Sequence, residues 1–134
     1  MWLFQGKKIC CHEDLMSECT DFVYMIHYTN GQRYIGRKNI KSKRKRPPLK
    51  GKKRNRRLMI SHPFIKYEGR HESAGDLEIE YKEILYQCSA KKAATYLEAA
   101  LIFHHDAIFD PAYLNKNISG TFFENSLDGL LEEE

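Results

Sequence analysis

No apolar run in this 134-residue chain approaches the roughly 18–20 residues a membrane-spanning helix needs. The opening residues, Met1-Trp2-Leu3-Phe4-Gln5-Gly6-Lys7-Lys8, pass from apolar to basic, the reverse of a secretory signal. The expectation is therefore a soluble intracellular protein in the cytoplasm. Cysteine is sparse, and the four that occur do not have zinc-ligand spacing. Cys10 and Cys11 are adjacent, His12 follows, Cys19 stands apart, and no second cluster completes a set before Cys88. Reduced thiols in packing or surface positions are expected. Most telling is the absence of any Asp or Glu between Arg37 and Arg57.

That acid-free stretch holds 13 of the 22 Lys and Arg, leaving nine against all 18 acidic residues in the rest of the chain. The mild net charge of +4 thus conceals a segment at +13 set in a body at −9. Such a segment repels itself and needs solvent or a polyanion to settle it. The remaining composition, 42% hydrophobic and 30% charged, excludes wholesale disorder, and the length favours one domain over residues 1–134.

Residues 21–28 (DFVYMIHY) are aromatic and β-branched, as a strand requires. Asn30-Gly31 marks a tight hairpin turn, and residues 33–36 (RYIG) read as the return strand, giving a hairpin over 21–36. Pro47-Pro48 and Gly51 bar a continuous helix or central strand from 37–57, so a basic loop or extended arm is expected there. Residues 58–67 read as a short helix interrupted by Pro63, and 77–88 as a third strand. Ser89 is the expected N-cap of a helix over 90–109, which has apolar residues at helical spacing and ends before Asp110-Pro111. The 124–134 tail is acidic. The expected class is α+β: a three-stranded antiparallel or mixed sheet flanked by helices, with the basic loop after the first hairpin.

On these elements lies a recognisable constellation. Val23-Tyr24, then nine residues, then Tyr34-Ile35-Gly36 resembles the paired signature of the GIY-YIG nuclease superfamily. The second half matches letter for letter. In the first, Phe22-Val23-Tyr24 stands where the signature has Gly-Ile-Tyr, and the tyrosine is kept. Glu98, in the long helix, and Asn115, in the loop beyond it, follow in the superfamily's order, with Asn117 as the alternative asparagine. The Trp2-Leu3-Phe4 opening, the Gly36-Arg37-Lys38 junction and the 113–120 ending are similar to those of compact GIY-YIG proteins encoded by phages, so the resemblance spans roughly residues 2 to 123. In a phage context the compartment would be the host cytoplasm.

The resemblance implies a metal-dependent endonuclease that hydrolyses DNA phosphodiester bonds. Tyr24 would act as, or orient, the general base, and Tyr34 would position the water or the phosphate. Glu98 would be the single protein ligand of one Mg²⁺ or Mn²⁺ ion, and Asn115 would complete the site. An arginine would clamp the phosphate: Arg44 fits the spacing, and Arg37 and Lys38 lie nearer the hairpin. The other cations are expected to contact the DNA backbone: Lys41, Lys43, Lys45 and Arg46 before the proline pair, and Lys50, Lys52, Lys53, Arg54, Arg56 and Arg57 after it. Among the histidines, His27 lies close to Tyr24 in the strand, and His62 and His71 flank the region after the basic loop; packing or surface roles are the ordinary reading of each. RNA stays open as a substrate, and a homodimer is one route to cutting both strands. The competing reading is a non-catalytic nucleic-acid-binding protein that uses the 37–57 segment.

Overall fold

The computed structural model describes residues 2–54, 56–65, 67, 74–116, 118 and 130–131, with backbone alone at 43–46, 56–59 and 130–131. The expected hairpin is its centre. Strand β3 (Asp21–Tyr28) pairs antiparallel with β4 (Arg33–Asn39), and on its other side with β7 (Ile79–Cys88), the expected third strand. The sheet is wider than the three strands expected. Trp2–Phe4 forms β1, parallel to β7, and Lys7–Ile9 forms β2, antiparallel to β1. The order is β2-β1-β7-β3-β4, and Leu130–Leu131 adds a short strand, β8, against β7. The rest of the 124–134 tail, like His71 and Asn117, lies outside the described residues.

The expected turn at Asn30-Gly31 is one residue longer than the pair suggests, and a second tight turn, not expected from the sequence, joins β1 to β2. Around Asn30-Gly31 only Gly31 takes a positive φ, of 90°. The Gly31 N–H donates to the Tyr28 carbonyl, and the Tyr28 N–H donates to Gln32. This is a three-residue turn closed by a glycine bulge, and the Asn30 side chain accepts from the Gln32 N–H. The two-residue turn with both φ values positive occurs instead at Gln5 (50°) and Gly6 (82°), between β1 and β2.

Three further expectations are corrected. Residues 37–57 are not a loop throughout. After β4 the buried Ile40 intervenes, and then β5 (Lys41–Arg46) pairs antiparallel with β6 (Arg56–Ser61) in a separate two-stranded sheet. Of the helix expected over 58–67, residues 58–61 are strand and the other described residues are not helical. Its Leu-Met-Ile run is as compatible with β as with helix, and the cross-strand partner decides. The main helix, α1, covers Lys91–His104 rather than 90–109, with Ala90 and not Ser89 at its N-cap. It stops early because Asp106 adopts φ 49°. The Ala107 N–H then donates to the Ile102 carbonyl and the Asp106 N–H to the Phe103 carbonyl, the Schellman pattern that closes a helix.

The pleat sorts β3 onto two cores. Val23 and Met25 join Ile35 and the α1 residues Ala93, Ala94 and Ile102. Phe22, Tyr24, Ile26 and Tyr28 join Trp2, Phe4, Ile40 and Phe64 on the other face. The sheet is thus buried on both sides, and the continuously apolar character of 22–26 follows from that. No helix among the described residues is long and apolar enough to cross a membrane.

Candidate active site

Register places the tyrosines. Tyr24 lies opposite Gly36 and Tyr34 lies opposite Ile26, so Tyr24 and Tyr34 are diagonal neighbours on one face. Their ring centroids are 6.4 Å apart. Gly36 is what permits this. A Cβ built there would come within 2.6 Å of both Cζ and the hydroxyl oxygen of Tyr24, so the Tyr24 ring lies across the space a side chain would fill. A bulge in the β3–β7 pairing falls between Val23 and Tyr24, with Leu85 as the extra residue on β7, at the point where the ring must be aimed. Trp2 meets the Tyr24 ring edge-on at 5.1 Å and holds it from behind.

A third tyrosine, which the sequence did not single out, completes the group. Tyr67 stands 6.5 Å from Tyr24 between ring centroids and hydrogen-bonds to its hydroxyl. Its carbonyl accepts from the Lys82 ammonium at 2.7 Å, and that ammonium also lies 4.4 Å above the Trp2 ring. The Lys38 ammonium sits 4.6 Å from the centre of the Tyr67 ring. Nothing local marks Tyr67, which lies 43 positions from Tyr24 in a stretch without periodicity.

β4 ends the sheet path, so groups from both faces can converge at its edge. Glu98, on α1, is half-buried there, and burial pushes its carboxyl above the ordinary value while the Arg37 guanidinium pulls it back. The same arginine opposes the rise of Tyr34, whose hydroxyl is pushed up by burial and then by the Glu98 charge. Tyr24 is pushed furthest, first by burial and then by Tyr67, Tyr34 and Glu98. Its hydroxyl therefore stays protonated, able both to donate and to accept a hydrogen bond.

Asn115 has a different position from the tyrosines. It is buried, its Oδ1 accepts from the Ile35 N–H at 2.9 Å, and its Nδ2 donates to the Ile35 carbonyl at 2.8 Å. One side-chain amide thus acts as a strand residue on the open edge of β4, next to the Arg33–Tyr113 bridge. Arg44 lies on the separate β5–β6 sheet, in register with Leu58, and its side chain is outside the described residues. His27 faces away from Tyr24; it contacts Glu83 at 3.2 Å and stacks on Tyr81. His62 hydrogen-bonds to Ser42 at the foot of the ribbon. Cys10 and Cys11 are exposed, whereas Cys19 and Cys88 are buried. An apolar hollow of about 320 Å³ beyond the end of α1 shares no residue with the tyrosine cluster.

Among the described residues no three His, Cys, Asp or Glu side chains come together as a cage for a metal ion. One half-buried carboxylate beside phenol hydroxyls suits a hard cation that keeps most of its waters and takes its other ligands from a phosphate.

A family model described as "Putative endonuclease segE, GIY-YIG domain" matches residues 2–118. The chain belongs to the GIY-YIG nuclease family. No curated protein and no solved structure matches it. The matched span takes in β1, the hairpin, the β5–β6 ribbon, α1 and Asn115. The match covers 117 of the 134 residues, and the altered first half of the signature, Phe22-Val23-Tyr24, lies within it.

Proposed function

We propose that this GIY-YIG domain is an active, divalent-metal-dependent endonuclease acting on DNA. The convergence of Tyr24, Tyr34, Tyr67, Glu98 and Arg37 around the side-chain-free position at Gly36 carries this reading. Phosphodiester hydrolysis needs an oriented water, charge to oppose the extra negative charge at phosphorus, and help for the leaving oxygen. Arg37 supplies a planar fork for the phosphate, and its charge already reaches Glu98 and Tyr34, which favours it over Lys38 and Arg44 as the clamp. Tyr24, kept protonated by burial, orients the attacking water through its hydroxyl. Tyr34, less buried and within reach of Arg37, would accept that water's proton as the phenolate, a form that the Arg37 charge and a cation held at Glu98 would favour against burial.

Glu98 would hold Mg²⁺ or Mn²⁺, which supplies Lewis-acid stabilisation of the phosphoryl and leaving oxygens. Asn115 and Lys82 are positioning residues: the first holds Ile35, between Tyr34 and Gly36, and the second holds the Tyr67 backbone. Lys38 lies over the Tyr67 ring, beside the tyrosine cluster. The cations of residues 41–57 bind the DNA backbone.

Nicking of supercoiled plasmid at low salt tests the reading, with Mg²⁺, Mn²⁺ or EDTA. Wild type is expected to relax the plasmid only with metal. Glu98→Ala and Tyr34→Phe should each lower the rate by about 10²-fold or more, with binding retained. Tyr67→Phe should cost less than Tyr34→Phe. Salt-sensitive binding with no scission under any metal would instead establish the non-catalytic binding protein.

A further inference from the structure

The segment that carries 11 of the 22 Lys and Arg is a two-stranded ribbon with a fixed foot. Lys45 pairs in register with Arg57 and Arg46 with Arg56, so four cations meet in two adjacent steps. Like charges directly opposite each other destabilise a ladder, and two strands alone are marginal in water, so the far end of the ribbon is shaped for an anionic partner. Apolar Leu58, Met59 and Ile60 are interleaved opposite Arg44, Lys43 and Ser42. Charge alone would not call for them.

The foot is locked to the body. Ile40 is fully buried, and its N–H donates to the Thr20 carbonyl at 2.8 Å. The His62 N–H donates to the Ile40 carbonyl at 2.7 Å. Asn39 Nδ2 donates to the Lys41 carbonyl and to the buried Asp21 carboxylate, and Ser42 Oγ lies 2.7 Å from the His62 ring. Only Ile40 separates β5 from β4, the strand that carries Tyr34, Gly36 and Arg37. The ribbon thus continues directly from the strand that carries Tyr34, with its foot held against the body.

We propose that the β5–β6 ribbon is a probe for the major groove of B-form duplex DNA, and that its docking sets where the tyrosine site meets the backbone. The proposal rests on the DNA-nuclease reading above. The major groove, about 12 Å wide, admits a two-stranded ribbon and offers phosphates on its walls, guanine acceptors for arginine and thymine methyls for apolar side chains. The A-form groove of duplex RNA is too deep and narrow to take it. Five strand steps from Lys41 to Arg46 reach about 17 Å, so groove contact and scission fall within about half a turn of the same duplex.

Binding by the full chain carrying Glu98→Gln, which is not expected to cut, tests this without relying on activity. The probes are one sequence as duplex DNA, as duplex RNA, and as duplex DNA whose pyrimidines carry a bulky neutral 5-substituent that fills the major groove. Plain DNA should bind at least about tenfold more tightly than either of the others. A ligand that occupies the minor groove should not displace the protein. Arg44→Ala with Arg46→Ala should abolish the difference between plain and blocked DNA. Equal affinity for RNA, indifference to the major-groove block, displacement by the minor-groove ligand, or no binding would each overturn the proposal. If the groove dependence is found and the wild type never nicks, the ribbon stands and the nuclease reading falls. Nicking that ignores the block has the opposite meaning.

Discussion

Gly36 shows how one missing side chain organises a site. Its Cβ position is occupied by the Tyr24 ring, so Gly36→Ala forces either the strand or the ring to move. Overpacking of this kind costs about 1–3 kcal/mol, and here it also displaces a functional hydroxyl. The expected result is a lower urea midpoint together with impaired nicking. Tyr24→Leu, which removes the clashing atoms, should make the added methyl cheaper than it is in wild type. A Gly36→Ala protein as stable and active as wild type would show that Tyr24 does not lie there. The buried thiols give a second residue-scale prediction. Burial raises Cys19 from 9.0 to about 11 and, with the neighbouring Cys19 and Asp21, raises Cys88 to about 12. Both bind their protons more tightly folded than unfolded. Their contribution is therefore complete below about pH 9 and is lost as pH climbs through 11 and 12, by at most about 1.4 kcal/mol per pH unit for each thiol. The Tyr24 and Tyr34 hydroxyls, also raised, act in the same direction. Urea midpoints should decline above pH 9, and Cys19→Ala with Cys88→Ala should make that decline shallower. An unchanged slope would show that the thiols are not coupled to folding.

β4 is both an edge strand and the strand that presents Tyr34, Gly36 and Arg37, so its outer edge must be satisfied without a neighbouring strand. Asn115 does this with one amide paired to both polar groups of Ile35. Asn115→Ala should leave a buried N–H and carbonyl bare, costing about 1–3 kcal/mol for each, and should lower the nicking rate through misplacement of Tyr34. Asn115→Asp keeps the acceptor but loses the donor, so it should rescue neither fully. Activity at wild-type level in an Asn115→Ala protein that remains folded would remove Asn115 from the site. This element also marks what the sequence could reveal. The β3–β4 hairpin was legible because aromatic and β-branched content and an Asn-Gly pair are local signals, and Glu98 was singled out through the order of elements in the family. Asn115 could be placed by that order, but its role as a substitute strand residue depends on an 80-residue contact. β1 was illegible, since three residues gain their strand character from pairing with β2 and, in parallel, with the distant β7. The β5–β6 ribbon was hidden because a run of cations has no apolar alternation to read, and Tyr67 because its neighbours arrive from β3 and β7.

At the scale of the whole molecule the charge is divided between a +13 segment and a −9 body; Arg37 and Lys38 of the first lie on β4, and its other eleven cations lie on the β5–β6 ribbon and its tip. This polarity orients the chain on a polyanion before any specific contact forms. Each phosphate neutralised by a cation releases a counterion, so the number of contacts can be read from salt dependence. If about seven of the segment's cations engage backbone at once, log affinity should fall against log salt with a slope of about −6. Lys52→Ala with Lys53→Ala and Arg54→Ala should flatten that slope by up to about 3 without abolishing nicking, because these residues lie on the ribbon tip, beyond the clamped foot. The same single-site geometry governs the products. One cluster of tyrosines with one carboxylate attacks one strand, so nicked circles should accumulate first, and linear plasmid should appear later and rise more steeply than in proportion to protein concentration. Linear product formed at the outset and in direct proportion to a monomeric protein would mean that one chain cuts both strands, and the single-site reading would have to be abandoned.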